Sequence, residues 1–354
     1  MSLDKYGWDA FFAESFAPLA RDGYAAGRVF LQHNKIYMLY AEAGELAAEV
    51  AGKMEYEASG PDDFPAVGDW VAIRTRKDER KATIHEILPR RSKFSRKVAG
   101  SRTDEQIVAA NVDTLFLVTG LDNDFNLRRI ERYLLMASES GARAVVVLNK
   151  ADVAEDVEAK VREVRAIASD APVLLMSAKE SEGVEQLLPY TGAGQTVSLI
   201  GSSGVGKSTI INKLLGTEKQ KVSEVRASDE RGKHTTTHRE LLLLPTGGLI
   251  IDTPGMRELQ LLVREHGLRD TFEDIEALMS RCYFSDCGHK TEPDCAVREA
   301  LATGELDAER YSNYQKMQAE MDALAAKQAR GLAALKKEKM KKIHQELKKH
   351  KKRY

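Results

Sequence analysis

Short runs of alternating hydrophobic and polar residues follow one another over the first quarter of the chain. The runs span residues 28–32, 36–40, 46–50, 69–74 and 83–88, and glycine, proline or aspartate residues lie between them. A period of two is typical of strands that bury one face against a core. Five such strands in close succession predict a small closed barrel.

Aromatic and basic residues flank this region. Before it, four aromatic residues at near-helical spacing predict an amphipathic helix in a short N-terminal extension over 1–26: Trp8, Phe11, Phe12 and Phe16. After it come five basic residues: Arg90, Arg91, Lys93, Arg96 and Lys97. Because the OB-fold is a five-stranded barrel that binds nucleic acids, we predict an OB-fold RNA-binding domain over 27–105. A solvated basic linker remains the alternative for the five basic residues.

From residue 106 the pattern changes to strands that alternate with helices. Apolar runs at 114–119 and 144–148 enclose a helical pattern over 127–140 that Gly141 ends, and further apolar runs follow at 173–176 and 196–200. This alternation predicts an α/β domain with a parallel sheet over 106–270. In the same domain, residues 239–244 and 248–251 flank a Pro-Thr-Gly turn and predict a hairpin.

No strand pattern remains beyond residue 271, and the sequence there predicts helices. We assign 271–335 to a helical domain and 336–354 to a basic tail, because the tail carries ten Lys or Arg against two Glu. The tail therefore holds a charge of +8 in a chain whose net charge is −1. Such segregation of charge predicts a polyanionic partner, and we expect the tail to contact RNA.

Composition narrows the class of protein. With 354 residues, of which 43% are hydrophobic, the chain can form two or three domains with buried cores, and disorder throughout is excluded. No basic segment followed by an apolar run opens the chain, and nowhere do about 18 apolar residues stand together. We expect a cytoplasmic protein with no membrane partner, and a monomer.

Eight residues form a phosphate-loop pattern: Gly201-Ser202-Ser203-Gly204-Val205-Gly206-Lys207-Ser208. They follow a predicted strand and open a predicted helix, where backbone N–H groups can face an anion at the helix N-terminus. We predict that Lys207 reaches the β- and γ-phosphates of a nucleotide and that the Ser208 hydroxyl binds Mg²⁺. Thr209 belongs to the same predicted nucleotide-binding set.

A second motif, Asn149-Lys150-Ala151-Asp152, predicts which base is bound. The Asp152 carboxylate can accept hydrogen bonds from N1–H and the 2-amino group of guanine, whereas adenine has neither donor and would leave the carboxylate unpaired. We expect Asn149 to bridge the base to the phosphate loop and Lys150 to lie along the sugar and base. In Ser177-Ala178-Lys179, which ends the next strand, the Ala178 amide can address guanine O6.

Two further motifs concern magnesium and hydrolysis. In Asp252-Thr253-Pro254-Gly255, the Asp-x-x-Gly pattern predicts that Asp252 holds Mg²⁺, through water, and that Gly255 senses the γ-phosphate. One of three threonines is expected to bind Mg²⁺, and the sequence does not distinguish them: Thr235, Thr236 and Thr237.

The side chain that acts on the attacking water is harder to assign. Met256 stands where Ras-type enzymes place a water-orienting glutamine, and an apolar side chain cannot orient water. We therefore predict that His234 aligns or deprotonates the attacking water. A solvated loop histidine is the alternative.

The order of these motifs is rotated, because the guanine motif precedes the phosphate loop, whereas Ras-like chains have the reverse order. A nucleotide site assembled from loops at one end of a parallel sheet tolerates such rotation if the termini lie close together. The sequence therefore predicts a circularly permuted Ras-like α/β GTPase domain.

Three cysteines and a histidine crowd into fourteen residues: Cys282, Cys287, His289 and Cys295. An odd, clustered count favours a metal over disulfides, and three thiolates with one imidazole suit a closed tetrahedral Zn²⁺ site of structural type. Three unrelated reduced cysteines and an iron–sulfur cluster are the alternatives, although such clusters usually have four thiolate ligands.

Barrel, motif order and Cys/His cluster together resemble the bacterial ribosome small-subunit-dependent GTPase A family. The resemblance covers nearly the whole chain, and it includes the Gly-x-His-Thr-Thr-Thr run at residues 232–237. It implies an OB-fold, a circularly permuted GTPase and a zinc domain that engage the maturing small (30S) ribosomal subunit and its rRNA. It also implies GTP hydrolysis to GDP that the subunit stimulates and that is linked to release of the factor.

Two other functions remain open from the residues alone. The first is a nucleotide-gated RNA-binding or RNA-chaperone protein with incidental GTP turnover, which Met256 favours because it predicts slow unaided hydrolysis. The second is a GTPase that acts on another polyanion, such as tRNA or an anionic membrane surface, through the basic tail.

Overall fold

The structure, a computed structural model, describes residues 2–76, 79–97, 105–216, 239–252, 265–323 and 325–326. The chain divides into two compact units, of which the first contains Met1–Arg96 and Gln106–Leu261 and the second contains Lys97–Glu105 and Leu262–Tyr354. The described strands are β1 (Ala25–His33), β2 (Ile36–Ala41), β3 (Gly44–Val50), β4 (Trp70–Thr75), β5 (Lys81–Ile87), β6 (Lys93–Lys97), β7 (Glu105–Ala110), β8 (Thr114–Gly120), β9 (Arg143–Asn149), β10 (Val173–Leu175), β11 (Thr196–Ile200), β12 (Glu240–Leu243) and β13 (Leu249–Asp252). The helices are α1 (Ala10–Arg21), α2 (Gly52–Glu57), α3 (Leu127–Ser140), α4 (Val157–Ile167), α5 (Lys207–Leu215), α6 (Glu265–Thr271), α7 (Glu273–Ser280), α8 (Ala296–Thr303) and α9 (308–323).

The five predicted strands close into a barrel. β1 pairs with β2, β2 with β3, β3 with β5, β5 with β4, and β4 with β1. Only the β3–β5 pair is parallel. This closure, with one parallel pair, is the OB-fold arrangement that the alternating pattern predicted. Fully buried Val29, Leu39, Trp70 and Ile84 form part of its core.

The N-terminal segment packs on this barrel. The Asp9 carboxylate caps α1 by accepting hydrogen bonds from the Phe11 and Phe12 N–H groups, at 3.0 and 3.4 Å. Trp8 contacts Trp70 edge to face, with ring centroids 4.7 Å apart. Phe12 is 2% exposed, so this aromatic residue of the predicted extension contributes to the core of the first unit, whereas Phe11 is exposed.

Two of the basic residues after the barrel stabilise the first unit. Arg90 donates two hydrogen bonds of 2.7 Å to the Asp69 carboxylate, which is fully buried. Arg91 pairs with Asp9 and lies 4.6 Å from the centre of the Phe11 ring. Neither residue therefore belongs to a solvated linker, and β6 contains the other three.

The α/β domain has a six-stranded sheet in the order β10-β9-β8-β11-β13-β12. β12 is antiparallel to β13, and the pairs formed by the other strands are parallel. β11 lies at the centre between β8, which precedes it in the chain, and β13, which follows it. Rotating the chain order thus leaves the motif-bearing loops at one end of the sheet, as the predicted circular permutation requires. A pair between Leu31 of β1 and Glu240 of β12 joins the barrel to this sheet.

Helices α6 to α9 belong to the second unit. Its buried residues include Phe272, Ile275 and Val297, each fully buried. Arg310 on α9 donates hydrogen bonds from Nε and Nη2 to the Asp274 carboxylate of α7, at 2.8 and 2.7 Å. Burial alone would raise the pKa of Asp274, but the Arg310 guanidinium lowers it below its usual range. In the part of the chain that the structure describes, no helix is both long and apolar enough to cross a membrane.

Candidate functional site

The phosphate-loop pattern connects the end of β11 to the start of α5, as predicted. Gly201 closes against β8, and a Cβ there would lie 2.2 Å from the Val118 carbonyl oxygen. A Cβ on Gly206, whose φ is +99°, would lie 2.2 Å from Asn149 Nδ2. Only glycine allows the loop to approach its neighbours this closely, so the sequence itself requires the tight turn that we predict to bind an anion.

The predicted phosphate-binding side chains lie at this turn. Lys207 Nζ donates to the carbonyl oxygens of Gly201 and Ser202, at 2.7 and 2.5 Å. Its charge is therefore held over the loop, where the phosphates of a nucleotide would lie. Ser208 and Thr209 follow in the first turn of α5 and are half-buried, whereas Ser203 is exposed.

Asn149 joins the predicted base-binding elements to the phosphate loop. Its Nδ2 donates to the Val205 carbonyl oxygen at 2.7 Å, and its Oδ1 accepts from the Ala178 N–H at 2.9 Å. The expected link from Asn149 to the loop is present. The Ala178 N–H, which we expected to address guanine O6, is already donated to Asn149, so a base oxygen would share it.

The Asp152 carboxylate is held beside Ser177. Its Oδ1 accepts the Ser177 hydroxyl proton at 2.6 Å, and Ser177 Oγ in turn accepts the Glu180 N–H at 3.3 Å. These bonds fix the direction of the carboxylate that we expect to meet guanine. By contrast, the Lys179 side chain is 80% exposed and lies 3.4 Å from the Glu180 carboxylate.

Lys150 has a partner that the motif did not reveal. Lys150 adopts a left-handed backbone with φ +66°, and its Nζ donates to Asp122 Oδ2 at 2.5 Å. Burial alone would raise the pKa of Asp122, but the hydrogen bond from Lys150 is among the contacts that lower it. Asp122 follows β8, next to the phosphate-loop strand. Its place at the carboxyl end of a parallel strand was the available sequence signal.

Asp252 ends β13, which pairs with β11, so it lies at the sheet end that carries the phosphate loop. The remaining predicted site residues lie outside the described residues: His234, Thr235, Thr236, Thr237 and Gly255. Met256 and the basic tail 336–354 lie outside them too.

The Cys/His cluster forms a second candidate site. Its four ligand atoms all lie within 4.8 Å of one another. Sγ of Cys282 lies 3.5 Å from His289 Nδ1 and 3.9 Å from Cys295 Sγ. A tetrahedral zinc site with Zn–S bonds of about 2.3 Å has sulfur–sulfur edges of about 3.8 Å. The cluster can therefore hold one metal ion, and its dimensions fit zinc.

Helix ends and a loop carboxylate organise this cluster. Cys282 follows α7, and Cys295 is the residue directly before α8. Glu292 accepts hydrogen bonds from the N–H groups of Gly288, Lys290 and Thr291 at 2.8–2.9 Å. Backbone N–H groups, its own first among them, lower the pKa of Glu292 to about 2. Sequence reasoning missed this residue because a surface glutamate carries no distinctive signal.

The environments of two thiols in the cluster shift their pKa values in opposite directions. Burial and hydrogen bonds with the other thiols raise the pKa of Cys287 to about 11. Burial alone would raise the pKa of Cys282, but hydrogen bonds from the N–H groups of Val297 and Ala296 help to lower it below the usual value. Thiolates held close together repel one another, and a bound cation would offset their charge.

Comparisons with known proteins agree with this geometry. The family model of the RsgA GTPase matches residues 87–262. A "Small ribosomal subunit biogenesis GTPase RsgA" of Opitutus terrae is 46% identical over 354 aligned residues, which cover 98% of this chain and 96% of that protein. Another, "RsgA 2" of Lactiplantibacillus plantarum, is 47% identical over 300 residues, 85% of this chain and 84% of that protein.

Solved structures show the same fold. The crystal structure of YjeQ from Thermotoga maritima matches with a TM-score of 0.63 and 28% identity, over 84% of this chain and 98% of that one. YloQ, described as a circularly permuted GTPase, matches in fold with a TM-score of 0.60 over 85% of this chain and 96% of that one.

Proposed function

Because the chain belongs to the RsgA GTPase family, we propose that it binds the small (30S) ribosomal subunit and acts in its late maturation. In this proposal it hydrolyses GTP to GDP and phosphate, the subunit stimulates hydrolysis, and hydrolysis drives release. The observation that carries the proposal is the contact of Asn149 with both the phosphate loop and Ala178, at 2.7 and 2.9 Å. That contact supports the proposal because it joins the loop proposed to recognise guanine to the turn proposed to bind phosphate. Since ribosomal subunits mature in the bacterial cytoplasm, we place the protein there.

Each part of the site has a proposed role. Asp152 accepts from the guanine edge, and Lys150, held by Asp122, lies along the base and sugar. Lys207 and the loop N–H groups bind the β- and γ-phosphates, and they offset the charge that develops there during hydrolysis. Ser208 and Asp252 would hold Mg²⁺ with the nucleotide, which supplies further positive charge at the phosphates.

The zinc ligands are proposed to be Cys282, Cys287, His289 and Cys295. All four positions of a tetrahedral ion are then filled by protein, so the ion would be structural. The ligand set leaves no place for a substrate.

The decisive experiment is GTP hydrolysis by the pure protein, alone and with equimolar small subunits, large subunits or tRNA. We expect small subunits alone to raise the steady-state rate by at least tenfold. Equal rates with every partner would contradict the proposal and favour a nucleotide-gated RNA-binding protein with incidental turnover, which Met256 is compatible with.

We expect replacement of His234 by Ala to lower subunit-stimulated turnover by roughly 10²-fold, within the range for loss of a general acid–base group. GTP affinity should stay within a few-fold, because the imidazole is assigned to the attacking water and not to the nucleotide. His238→Ala is the matched control, since this histidine lies four residues further along. Stimulated turnover of His234→Ala near the wild-type rate would assign His234 to the solvated loop.

Deletion of residues 336–354 is expected to weaken binding to the small subunit and to flatten its salt dependence. The segment holds ten Lys or Arg, and each phosphate it neutralises releases counterions. The measurement is the dissociation constant between about 50 and 200 mM salt, where several phosphate contacts together change affinity by orders of magnitude. An unchanged slope of log Kd against log salt would show that the tail makes no RNA contact.

A further inference from the structure

Helix α3 places an arginine against the phosphate loop. The helix starts at Leu127, and the Asn126 side chain caps it by accepting the Arg129 N–H at 2.9 Å. Ile130, the next residue, is fully buried against the sheet. Arg129 therefore projects from a rigid first turn, and its Nη1 donates a hydrogen bond to Ser202 Oγ in the phosphate loop.

The Arg129 guanidinium makes its hydrogen bonds through one nitrogen, Nη1. Nη1 also donates to Asp124, at 2.7 Å to Oδ1 and 3.3 Å to the carbonyl oxygen. Among the described residues, Nε and Nη2 make no hydrogen bond, and the side chain is 34% exposed. Three N–H donors of a planar fork are thus available at the loop, in the geometry that matches phosphate oxygens.

Two cationic side chains meet at Ser202. Lys207 Nζ donates to its carbonyl oxygen at 2.5 Å, while Arg129 Nη1 donates to its hydroxyl. Like charges held this close repel each other unless an anion shares the site. Asp124 offsets one charge, and a polyphosphate bound in the loop would offset the rest.

We propose that Arg129 is a phosphate-binding residue supplied by the chain itself, and that its free N–H groups contact the terminal phosphate of GTP. The inference rests on the proposed GTPase function and deepens it. Lys207 already bridges Gly201 and Ser202, so a second cation at Ser202 adds positive charge at the same end of the loop. An arginine that offsets charge on the transferring phosphoryl group favours the transition state over the bound substrate.

The test separates this role from simple support of the loop. Arg129→Ala, Arg129→Lys and the control Arg165→Ala, an exposed arginine on α4, are compared with wild type. Affinities for GDP and for a non-hydrolysable GTP analogue are measured, together with single-turnover hydrolysis. We expect Arg129→Ala to keep GDP affinity within about threefold, and to lose at least tenfold in both analogue affinity and the hydrolysis rate. Arg129→Lys should retain part of both, because it keeps the charge and loses the fork.

Equal losses for GDP and the analogue would overturn the proposal and leave Arg129 as a support for Ser202. Unchanged affinity for both GDP and the analogue would also overturn the proposal. If Arg129→Ala does not fold, the same measurements on Arg129→Lys and Asp124→Asn decide between phosphate binding and support of the loop. Both substitutions keep a side chain of similar size. The affinity comparison needs no hydrolysis, so it stands even if the wild-type protein proves to have no subunit-stimulated turnover. Absence of subunit-stimulated turnover would contradict the proposed function, but it would not contradict the contact between Arg129 and the terminal phosphate.

Discussion

Replacement of Asp152 by Asn will lower affinity for GTP by roughly 10²- to 10⁴-fold and shift the base preference to xanthosine triphosphate. Two charge-assisted hydrogen bonds to the guanine edge are lost, at about 1.5–3 kcal/mol each. The new amide N–H₂ also faces the guanine 2-amino group, donor against donor. Xanthine carries an oxygen in place of that amino group, so it can accept from the new amide.

This variant should fold normally. The Ser177 hydroxyl now donates to Asp152 Oδ1 at 2.6 Å, and the amide oxygen of Asn can accept the same bond. A change in nucleotide preference without a change in thermal unfolding would therefore identify Asp152 as the base-recognition residue.

The measurement is a titration with fluorescent GTP, GDP and xanthosine nucleotides. Glu180→Gln is the matched control, because its carboxylate lies in the neighbouring loop, is 51% exposed and has no proposed contact with the base. GTP binding by Asp152→Asn within threefold of wild type would assign guanine recognition to other residues.

Much of the fold could be predicted from the sequence, because the spacing of apolar residues and the residues that start and end a helix act within a few positions of the chain. The phosphate-loop strand was predicted over 196–200 and observed at Thr196–Ile200. Helix α3 begins and ends where the pattern placed it, since Asn126 caps its start and Gly141, with φ +81°, ends it. The five barrel strands lie within three residues of their predicted bounds, because alternation reports which face is buried.

Contacts between residues far apart in sequence could not be predicted in this way. Asp69 and Arg90 are separated by 21 positions, and the sequence shows only a carboxylate and one member of a basic run. Fully buried Arg28 donates to Thr196 Oγ1 over 168 positions. In the candidate site, Asp122 and Arg129 were missed for the same reason: their function comes from the loops that the sheet brings beside them.

Removal of the metal from the Cys/His cluster is expected to unfold the second unit. Binding free energies of structural zinc are about 10–16 kcal/mol in small zinc-dependent domains, which exceeds the stability of most domains. In this chain the metal would tie the end of α7, through Cys282, to the start of α8, through Cys295. Without it, these short helices would depend on a small core that includes Phe272, Ile275 and Val297, and on the Arg310–Asp274 contact.

Helix content and metal content measured on the same sample test this expectation. Elemental analysis of the purified protein should give one zinc per chain, and a strong chelator or Cys295→Ser should remove it with loss of helical circular dichroism. Asp286→Asn is the matched control, an exposed carboxylate among the ligands that is not itself a member of the cluster. Affinity for GTP should survive in the metal-free protein, because the residues proposed to bind the nucleotide lie in the first unit, which has its own core. Loss of GTP binding together with the metal would show that the two units fold as one, whereas full helix content without metal would show that the four ligands are ordinary reduced side chains.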